Sequence, residues 1–521
     1  MGQHFRPLRI LFSVQNPTYV RHYDSVLRAL AARGHEVQLV MRPRKKGWPP
    51  SVLALADECP AIRLSTTPDP SYDPWWELAT RLRQARFYLR FLEPRSVPTP
   101  ALLRRARTRA PQLAVRLGEY VGGSRLARQL LVNSIDVLEQ STRSADLFHD
   151  YLREYRPDLI VSTPLVVLKT AQIDLARAAV ELGIRNVFAV ASWDHLSSKG
   201  ELNFMPQCVL LWNEIQKREA IELHNIDAER IVVTGAQVFD DWFEKRPSTT
   251  REQFCTRVGL PADRPILLYV CSGLLEGSPS EVDFVLRWAR HMRQSGHSGL
   301  RDCSILIRPH FKRGDGWRNC DLSGLGHIVC WPPAGDVPVD AQSKADYFDS
   351  MYHAAAVVGI NTSAMIESAI VGRPVFTVLL PEFHDNQEGT VHFHYLLGGS
   401  EGLLRASRTL DDHARDIAQV IAGHDPDPDR SARFVRRFVR PRGVDVAATT
   451  QVADALETIA ARPAPAALPV PAWTRMIRPF LGPFARGAAA RARRIHDDFR
   501  NEKERLLLEH RQRKALLSRD S

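Results

Sequence analysis

Short apolar runs alternate with stretches in which apolar residues recur every three or four positions, from the start of the chain to about residue 460. RILFSV (9–14) is followed by an Asn-Pro turn signal, and YDSVLRALAARGHEV then shows helical spacing closed by Gly34. This predicts strand, loop, helix and strand. The alternation recurs in DLIVST (158–163) with a helix to Leu182, NVFAVA (186–191), CVLLW (208–212) with a helix to His224, and RIVVTG (230–235). A second series begins after the polar stretch 246–264. It runs through PILLYVCSG (265–273), a helix to Met292, CSILIRPH (303–310), HIVCW (327–331), a helix over about 342–353, AAVVGI (355–360), a helix to Val371 and PVFTVLL (374–380). Strands that are apolar throughout, alternating with amphipathic helices, predict parallel sheets covered on both faces.

The predicted fold class is α/β: two tandem doubly wound, Rossmann-like domains facing a cleft, with a helical insertion and a helical C-terminal tail. At 521 residues the chain exceeds the roughly 250 to 300 residues one core can serve. The expected partition is a first domain over 1–245 carrying an arginine-rich insertion at about 74–156, a second over 246–425, a closing helix within 426–462, and a Pro/Ala linker with a basic amphipathic tail over 463–521. The acidic DPDPD (425–429), with proline between its aspartates, reads as a hinge.

Composition narrows the class. Hydrophobic residues at 44% and charged residues at 25% suffice for packed cores and exclude global disorder. No run approaches the roughly 18 apolar residues of a membrane span, and the N-terminus carries no signal-peptide pattern, so the expected location is cytoplasmic. Seven cysteines without a CxxC pair argue against a disulfide framework and a structural zinc site. The net charge of +11 is concentrated: 12 arginines stand against two glutamates between Arg81 and Arg128, and from residue 472 onward 13 Lys+Arg stand against 6 Asp+Glu. Two basic regions on a mildly acidic body suggest an anionic surface, lipid headgroups or nucleic acid; a solvated arginine-rich helix face is the plain alternative. Nucleic acid is disfavoured because no stacking aromatics interleave these regions near the expected cleft.

Ligands of open α/β sheets sit at the carboxyl ends of strands. VASWDHLSSKG (190–200) leaves a strand there and concentrates an acid, a base, two hydroxyls and an ammonium. In VVGINTSAMIESAIVGRPVF (357–376), Asn361, Thr362 and Ser363 fall at a helix start, where free N–H groups and the helix dipole suit an anion; Thr362 or Ser363 as a plain N-cap fits equally. Glu367, four residues after Ser363, could reach a ribose diol or be a solvated helix residue. CSILIRPHFKRG (303–314) ends in Arg308, His310, Lys312 and Arg313, donors suited to a diphosphate.

The tandem layout, with RILFSVQNPTYVRHYDSVLRALAARGHEVQLV near one end and INTSAMIESAIVGRPV near the other, resembles the GT-B glycosyltransferase superfamily. Within it, the motif order is most similar to the CDP-glycerol glycerophosphotransferase and capsule-polysaccharide transferase group. Trp193, Lys199 and Gly200 keep the frame of that group's Trp-His-Gly loop; Thr234, Gly235 and Asp240 follow its Thr-Gly and Asp; Arg308, Pro309 and His310 follow its Arg/His-Pro loop. Its Asp-Tyr-Ser-Ser loop is here Ile360-Asn361-Thr362-Ser363. The resemblance implies an acceptor-side first domain and a nucleotide-donor second domain. It also departs from the pattern: Asp194 follows Trp193, and the histidine comes one later, at His195. A carboxylate can equally take the proton of an attacking hydroxyl, so Asp194 is the expected base with His195 second, while an Asp194 that merely caps the next turn is the alternative. The resemblance leaves His22 and Asp24 of the first loop as rival bases. It also suggests Asp385 and Gln387, in PEFHDNQEGTVHFHY (381–395), as contacts to donor-sugar hydroxyls. His384, His392 and His394 lack the spacing of a metal set, so no metal and no cofactor are expected.

The expected protein is a cytoplasmic, peripherally membrane-associated transferase that moves a sugar from a nucleotide-sugar donor to a lipid-linked or polysaccharide acceptor at the inner membrane surface in cell-surface glycan synthesis. A CDP-glycerol-type polyol-phosphate transferase, a UDP-sugar 2-epimerase and a non-catalytic membrane-associated binding protein are the alternatives. The tail WTRMIRPFLGPFARGAAARARRIHDDF fits a membrane interface or a helix packed on a partner, the latter favoured by ERLLLEHRQRKALL.

Overall fold

The computed structural model describes residues 6–517 except positions 43, 45, 46, 72, 94–98, 122, 143–145, 168, 203, 204 and 319; beyond Asp498 it describes only the side chains of Glu502 and Arg505. The partner-helix reading of ERLLLEHRQRKALL (504–517) therefore rests, Arg505 apart, on side chains outside the described ones.

β1 (Arg9–Val14), α1 (Asp24–Ala32), β2 (Glu36–Met41) and β3 (Ile62–Thr66) open the first layer. The helices α2 (Pro74–Phe91), α3 (Pro100–Arg109), α4 (Gln112–Val121), α5 (Arg125–Gln140) and α6 (Asp146–Tyr155) intervene before β4 (Leu159–Thr163), α7 (Gln172–Glu181), β5 (Arg185–Ala189), β6 (Cys208–Leu211), α8 (Glu214–His224) and β7 (Ile231–Val233). Among the described residues the first sheet runs β3-β2-β1-β4-β5-β6-β7, parallel throughout. The second sheet contains β8 (Ile266–Val270), β9 (Ser304–Arg308), β10 (Ile328–Cys330), β11 (Ala356–Gly359), β12 (Val375–Val378) and β13 (Arg405–Ser407), in the order β10-β9-β8-β11-β12-β13 and again parallel. Its helices include α9 (Glu281–Gln294), α10 (Ala341–Tyr352) and α11 (Ala364–Ile370). β4, β8 and β9 are buried at every position, which is why they read as unbroken apolar runs.

Strand order reverses between β1 and β4, where Val14 pairs with Thr163, and between β8 and β11, where Val270 pairs with Gly359. Loops leaving these strands diverge on either side of a crevice, and ligand sites of such sheets form there.

The region after residue 425 holds two helices where one was expected: α12 (Arg430–Phe438) and α13 (Ala448–Ala461). The Arg-Pro-Arg-Gly stretch at 440–443 separates them, with Gly443 at φ 122°. α12 packs on the second sheet's helices, whereas Val452, Ala453, Leu456 and Ile459 of α13 join the core under the first sheet. Asp240 clasps this return. Its carboxylate accepts from the backbone N–H of Ala448 (3.1 Å) and Thr449 (2.6 Å) and pairs with Arg440 at 2.7 Å. Gly235, at φ 90°, lets Ala448 approach so closely that a Cβ there would lie 2.9 Å from the alanine's own. Gly235 is thus a packing residue beneath α13 and not the cleft residue expected.

Arg83, Arg86 and Arg90 of the insertion also depart from expectation, whereas Arg107, Arg109 and Arg116 stay exposed. Arg83 is buried and divides its guanidinium between Glu139 (2.6 Å) and Asp174 (2.9 Å). Arg86 pairs with Asp136 and Glu201. Arg90 donates to the carbonyls of Leu196 (2.7 Å) and Gly200 (3.3 Å). Five donors in a rigid fork can saturate acceptors from several elements at once, so these side chains turn inward as structural ties. Finally, α14 (Ala472–Leu517) lies against α2 through Thr474, Ala485, Ala488 and Ala489.

Candidate active site

The loop after β5 ends in a single helical turn, His195–Ser198, and Arg90 fixes its backbone from below through the Leu196 carbonyl. At its head, Asp194 does not cap that turn through its side chain. Its carboxylate accepts from the hydroxyls of Ser192 (2.7 Å) and Ser198 (3.0 Å) and lies 3.3 Å from the Lys199 ammonium. Burial works against its charge, yet Lys199, His195, His392 and the Ser192 hydroxyl hold it well below the usual carboxylate range. About a quarter of the Asp194 side chain, 26%, stays open.

His195 is buried, and burial pushes it down to about 4 against the opposing pull of Asp194. The loop after β1 brings His22 to the same place. Tyr19 stands between the two imidazoles, with ring centroids 5.7 Å from His22 and 6.0 Å from His195. Burial and the neighbouring Arg21 push His22 down to about 3. Both rings are therefore neutral near pH 7, beside an ionised carboxylate. Asp24 is not brought to this cluster: two residues on, it opens α1 and pairs with Arg28 at 2.8 Å.

The second sheet supplies the facing wall. Trp193 Nε1 donates to Ser363 Oγ at 3.1 Å, and its ring meets His392 edge-on at 4.7 Å. The Asn361 amide lies 3.4 Å from His392 Nε2 and donates to the Asn386 carbonyl at 2.5 Å, while its backbone N–H donates to Ser272 Oγ at 3.0 Å. Ser272 is held in turn by Glu281, which accepts from its N–H at 2.9 Å. The loops after β8, β11 and β12 are thereby joined around Asn361, with Thr362 and Ser363 leading into α11; Ser363 makes no side-chain cap.

Glu367 is neither solvated nor free. It accepts from the Tyr347 hydroxyl at 2.6 Å, and burial raises its pKa against the opposing fields of Arg21 and Lys245. Arg308 is buried between the rings of Trp331 (5.2 Å) and Tyr347 (5.0 Å) and donates to Ser350 at 2.7 Å, so it anchors Tyr347 and offers no open fork to a diphosphate. His310 stacks on Phe311 at 4.6 Å and is pushed down to about 4, first by burial and then by Lys312, Arg313 and Arg21. Gly273 faces it, and a Cβ there would come within 3.1 Å of His310 Nε2. Lys312 is exposed, its ammonium 5.6 Å from the Phe311 ring.

Asp385 pairs with Arg104 of α3 and lines a cavity of about 520 Å³ with Glu276, Ser278, Asn386 and Arg408. Gln387 does not reach outward: it is buried, and its amide nitrogen is spent on Thr377 Oγ1 (3.0 Å) and the Val378 carbonyl (3.1 Å). The histidines of the same segment diverge, His392 toward Trp193 and His394 to the Glu388 carbonyl at 2.7 Å. Among the described residues no group of three or more His, Cys, Asp or Glu is placed to hold a metal ion.

Two residues were missed in the sequence. Arg21 is exposed on the loop after β1, and its charge acts on His310, Tyr347 and Glu367 of the opposite wall. Its position beside His22 was the available signal. Glu219 of α8 is buried near the His195 turn, accepts from the Tyr395 hydroxyl at 2.7 Å and is pushed by burial up to about 7. An acidic residue within a helical pattern carries no such signal.

No protein-family profile matches the chain, and no protein of curated function is similar to it in sequence. Solved structures are similar in fold. A putative UDP-N-acetylglucosamine 2-epimerase from Listeria monocytogenes is 12% identical with a TM-score of 0.51, over 89% of this chain and 100% of that one. A glycosyltransferase from Rickettsia africae is 11% identical with a TM-score of 0.49, over 88% and 100%. The wall teichoic acid polymerase TagF is 11% identical with a TM-score of 0.42, over 88% and 90%. The two parallel sheets facing a crevice are a GT-B fold.

Proposed function

We propose that the protein is a GT-B glycosyltransferase that moves a sugar from a nucleotide-sugar donor to a lipid-linked or polysaccharide acceptor. One arrangement carries the reading: an ionised Asp194, held by Ser192, Ser198 and Lys199, on a loop whose Trp193 reaches Ser363 of the opposite wall. Fold alone would not choose a chemistry, since many functions share it.

In this reading the acceptor hydroxyl approaches Asp194, which takes its proton as the oxygen attacks the anomeric carbon. Neutral His195 and His22 add no charge of their own, so Lys199 is the cation that keeps the carboxylate ionised as the hydroxyl approaches it. The departing nucleotide diphosphate lies against Arg21, His310 and the Asn361–Ser363 turn, where Arg21 offsets the developing charge. Glu367, through Tyr347, shapes the nucleoside end. The 520 Å³ cavity beside Asp385 provides room for the donor sugar or the acceptor chain.

The test is transfer of label from a panel of radiolabelled nucleotide sugars to a membrane and polysaccharide extract. Wild-type protein is expected to label a product with one donor, and Asp194→Asn to abolish labelling while retaining nucleotide affinity. Full activity in Asp194→Asn would remove the base assignment. Label moved only from CDP-[³²P]glycerol would favour polyol-phosphate transfer, and sugar isomerised without acceptor would favour epimerisation.

A further inference from the structure

α14 places its buried face, Thr474, Ala485, Ala488 and Ala489, on α2. The exposed remainder of the helix should then be polar if it met only water. It carries instead Met476, Phe480 and Phe484, spaced i, i+4, i+8 and 75%, 76% and 68% exposed, with Trp473 at the head of the row. Nothing described covers them.

The row does not stand alone. Arg478 of α14 donates to the carbonyl of Ser141, at the end of α5, at 3.1 Å. One turn before Ser141, Val137 begins a second exposed apolar row that continues through Leu130 and Leu126 on the same side of α5. α4, packed beside α5, exposes Tyr120 at 90% and Leu113 at 69%. These neighbouring helices thus expose several large apolar side chains in rows, where ordinary surfaces scatter them singly.

Charge selects the occupant. Between Ala472 and His496 the chain has six arginines and no Asp or Glu, and Arg475, Arg486, Arg491 and Arg494 are exposed. A second copy of the same face would bring these arginines against one another, which a self-complementary interface does not tolerate. An anionic bilayer accepts both parts, apolar side chains at the acyl boundary and guanidinium groups among phosphates. No helix among the described residues is long and apolar enough to cross a membrane, so the contact is with the surface.

We propose that α14, with the outer rows of α4 and α5, seats the protein on an anionic lipid surface. The inward arginines of α2 are not the contact. Surface binding requires only these helices; its link to a lipid-linked acceptor rests on the transfer reading above.

The experiment is co-sedimentation of the full chain, without donor, with vesicles of phosphatidylglycerol and phosphatidylcholine or of phosphatidylcholine alone, together with sedimentation velocity without lipid. The variant is M476S/F480S/F484S, whose side chains are too exposed to support the fold. Wild-type protein is expected to bind the anionic vesicles, weakly or not at all the neutral ones, and the triple variant to lose at least about tenfold in affinity with an unchanged melting temperature. Absence of vesicle binding, equal binding by the variant, or a wild-type dimer that the variant dissolves would overturn the proposal, the last by assigning the face to a second copy. Because no donor is present, failure here leaves the transferase reading to its own test.

Discussion

The Trp193 indole N–H donates to Ser363 Oγ at 3.1 Å, so one hydrogen bond ties the loop after β5 of the first sheet to the turn after β11 of the second. It runs directly between the acid-base cluster and the anion-suited turn. Trp193→Phe keeps the edge contact with His392 but removes the donor. A neutral hydrogen bond contributes about 1 kcal/mol, so donor KM is expected to rise about fivefold in steady-state kinetics with little change in melting temperature. An unchanged KM would show that the two loops are positioned by packing alone.

Arg21 is exposed and needed by no core, yet its charge reaches His310, Tyr347 and Glu367. Arg21→Ala is expected to weaken nucleotide binding about tenfold, roughly 1.4 kcal/mol, as read by calorimetry, and to leave stability unchanged. A loss of stability without a loss of affinity would move Arg21 out of the site.

Asp240 combines a buried ion pair with Arg440 and the cap of α13. Removing one member of such a pair leaves the other buried without its charge, so Asp240→Ala is expected to cost about 3 to 5 kcal/mol in denaturant unfolding. A cost under about 1 kcal/mol would mean that α13 docks without this clasp.

Acid should destabilise the fold earlier than carboxylates alone would predict. His22 and His413 are pushed down to about 3, and His195, His310 and His392 to about 4, all from 6.5. Between these values and 6.5 the unfolded chain binds protons that the folded chain refuses, so stability rises with pH across that window. Glu219 and Glu281, pushed up to about 7 from 4.5, act in the opposite sense: their contribution is present at low pH and lost as pH rises toward 7. His353 is lowered as well, and burial also raises Glu367 and Asp136, so six imidazoles stand against four carboxyls and the melting temperature is expected to climb from pH 4.5 to 6.5 and then level off. A flat or falling profile over that interval would contradict the burial of these histidines.

The inner strands of both sheets were legible in the sequence because they are buried on two faces and leave apolar runs such as ILLYV and SILIR, whereas the edge strands β3 and β13, only partly buried, leave no such run and were missed. The loops proposed to carry the chemistry were legible for the same reason, since each follows such a run. Partners distant along the chain were not. Arg83 meets Asp174 across 91 positions, and Arg308 meets Trp331 and Tyr347 only once β9, β10 and α10 are assembled. His22 and Asp24 looked equivalent two residues apart, but the chain enters α1 between them and carries Asp24 to Arg28. Gln387 looked available because an amide in a loop is usually wet; here the loop folds under β12.

The central claim, that this crevice holds a nucleotide donor, is tested most directly by thermal unfolding of the full chain with UDP, GDP, CDP, CMP and ADP in turn. One of these nucleotides is expected to raise the melting temperature, by an amount equivalent to about 2.7 kcal/mol at 100 times its dissociation constant, with the rise diminished in Arg21→Ala. A melting temperature unmoved by every nucleotide, with acceptor membranes present, would contradict the account.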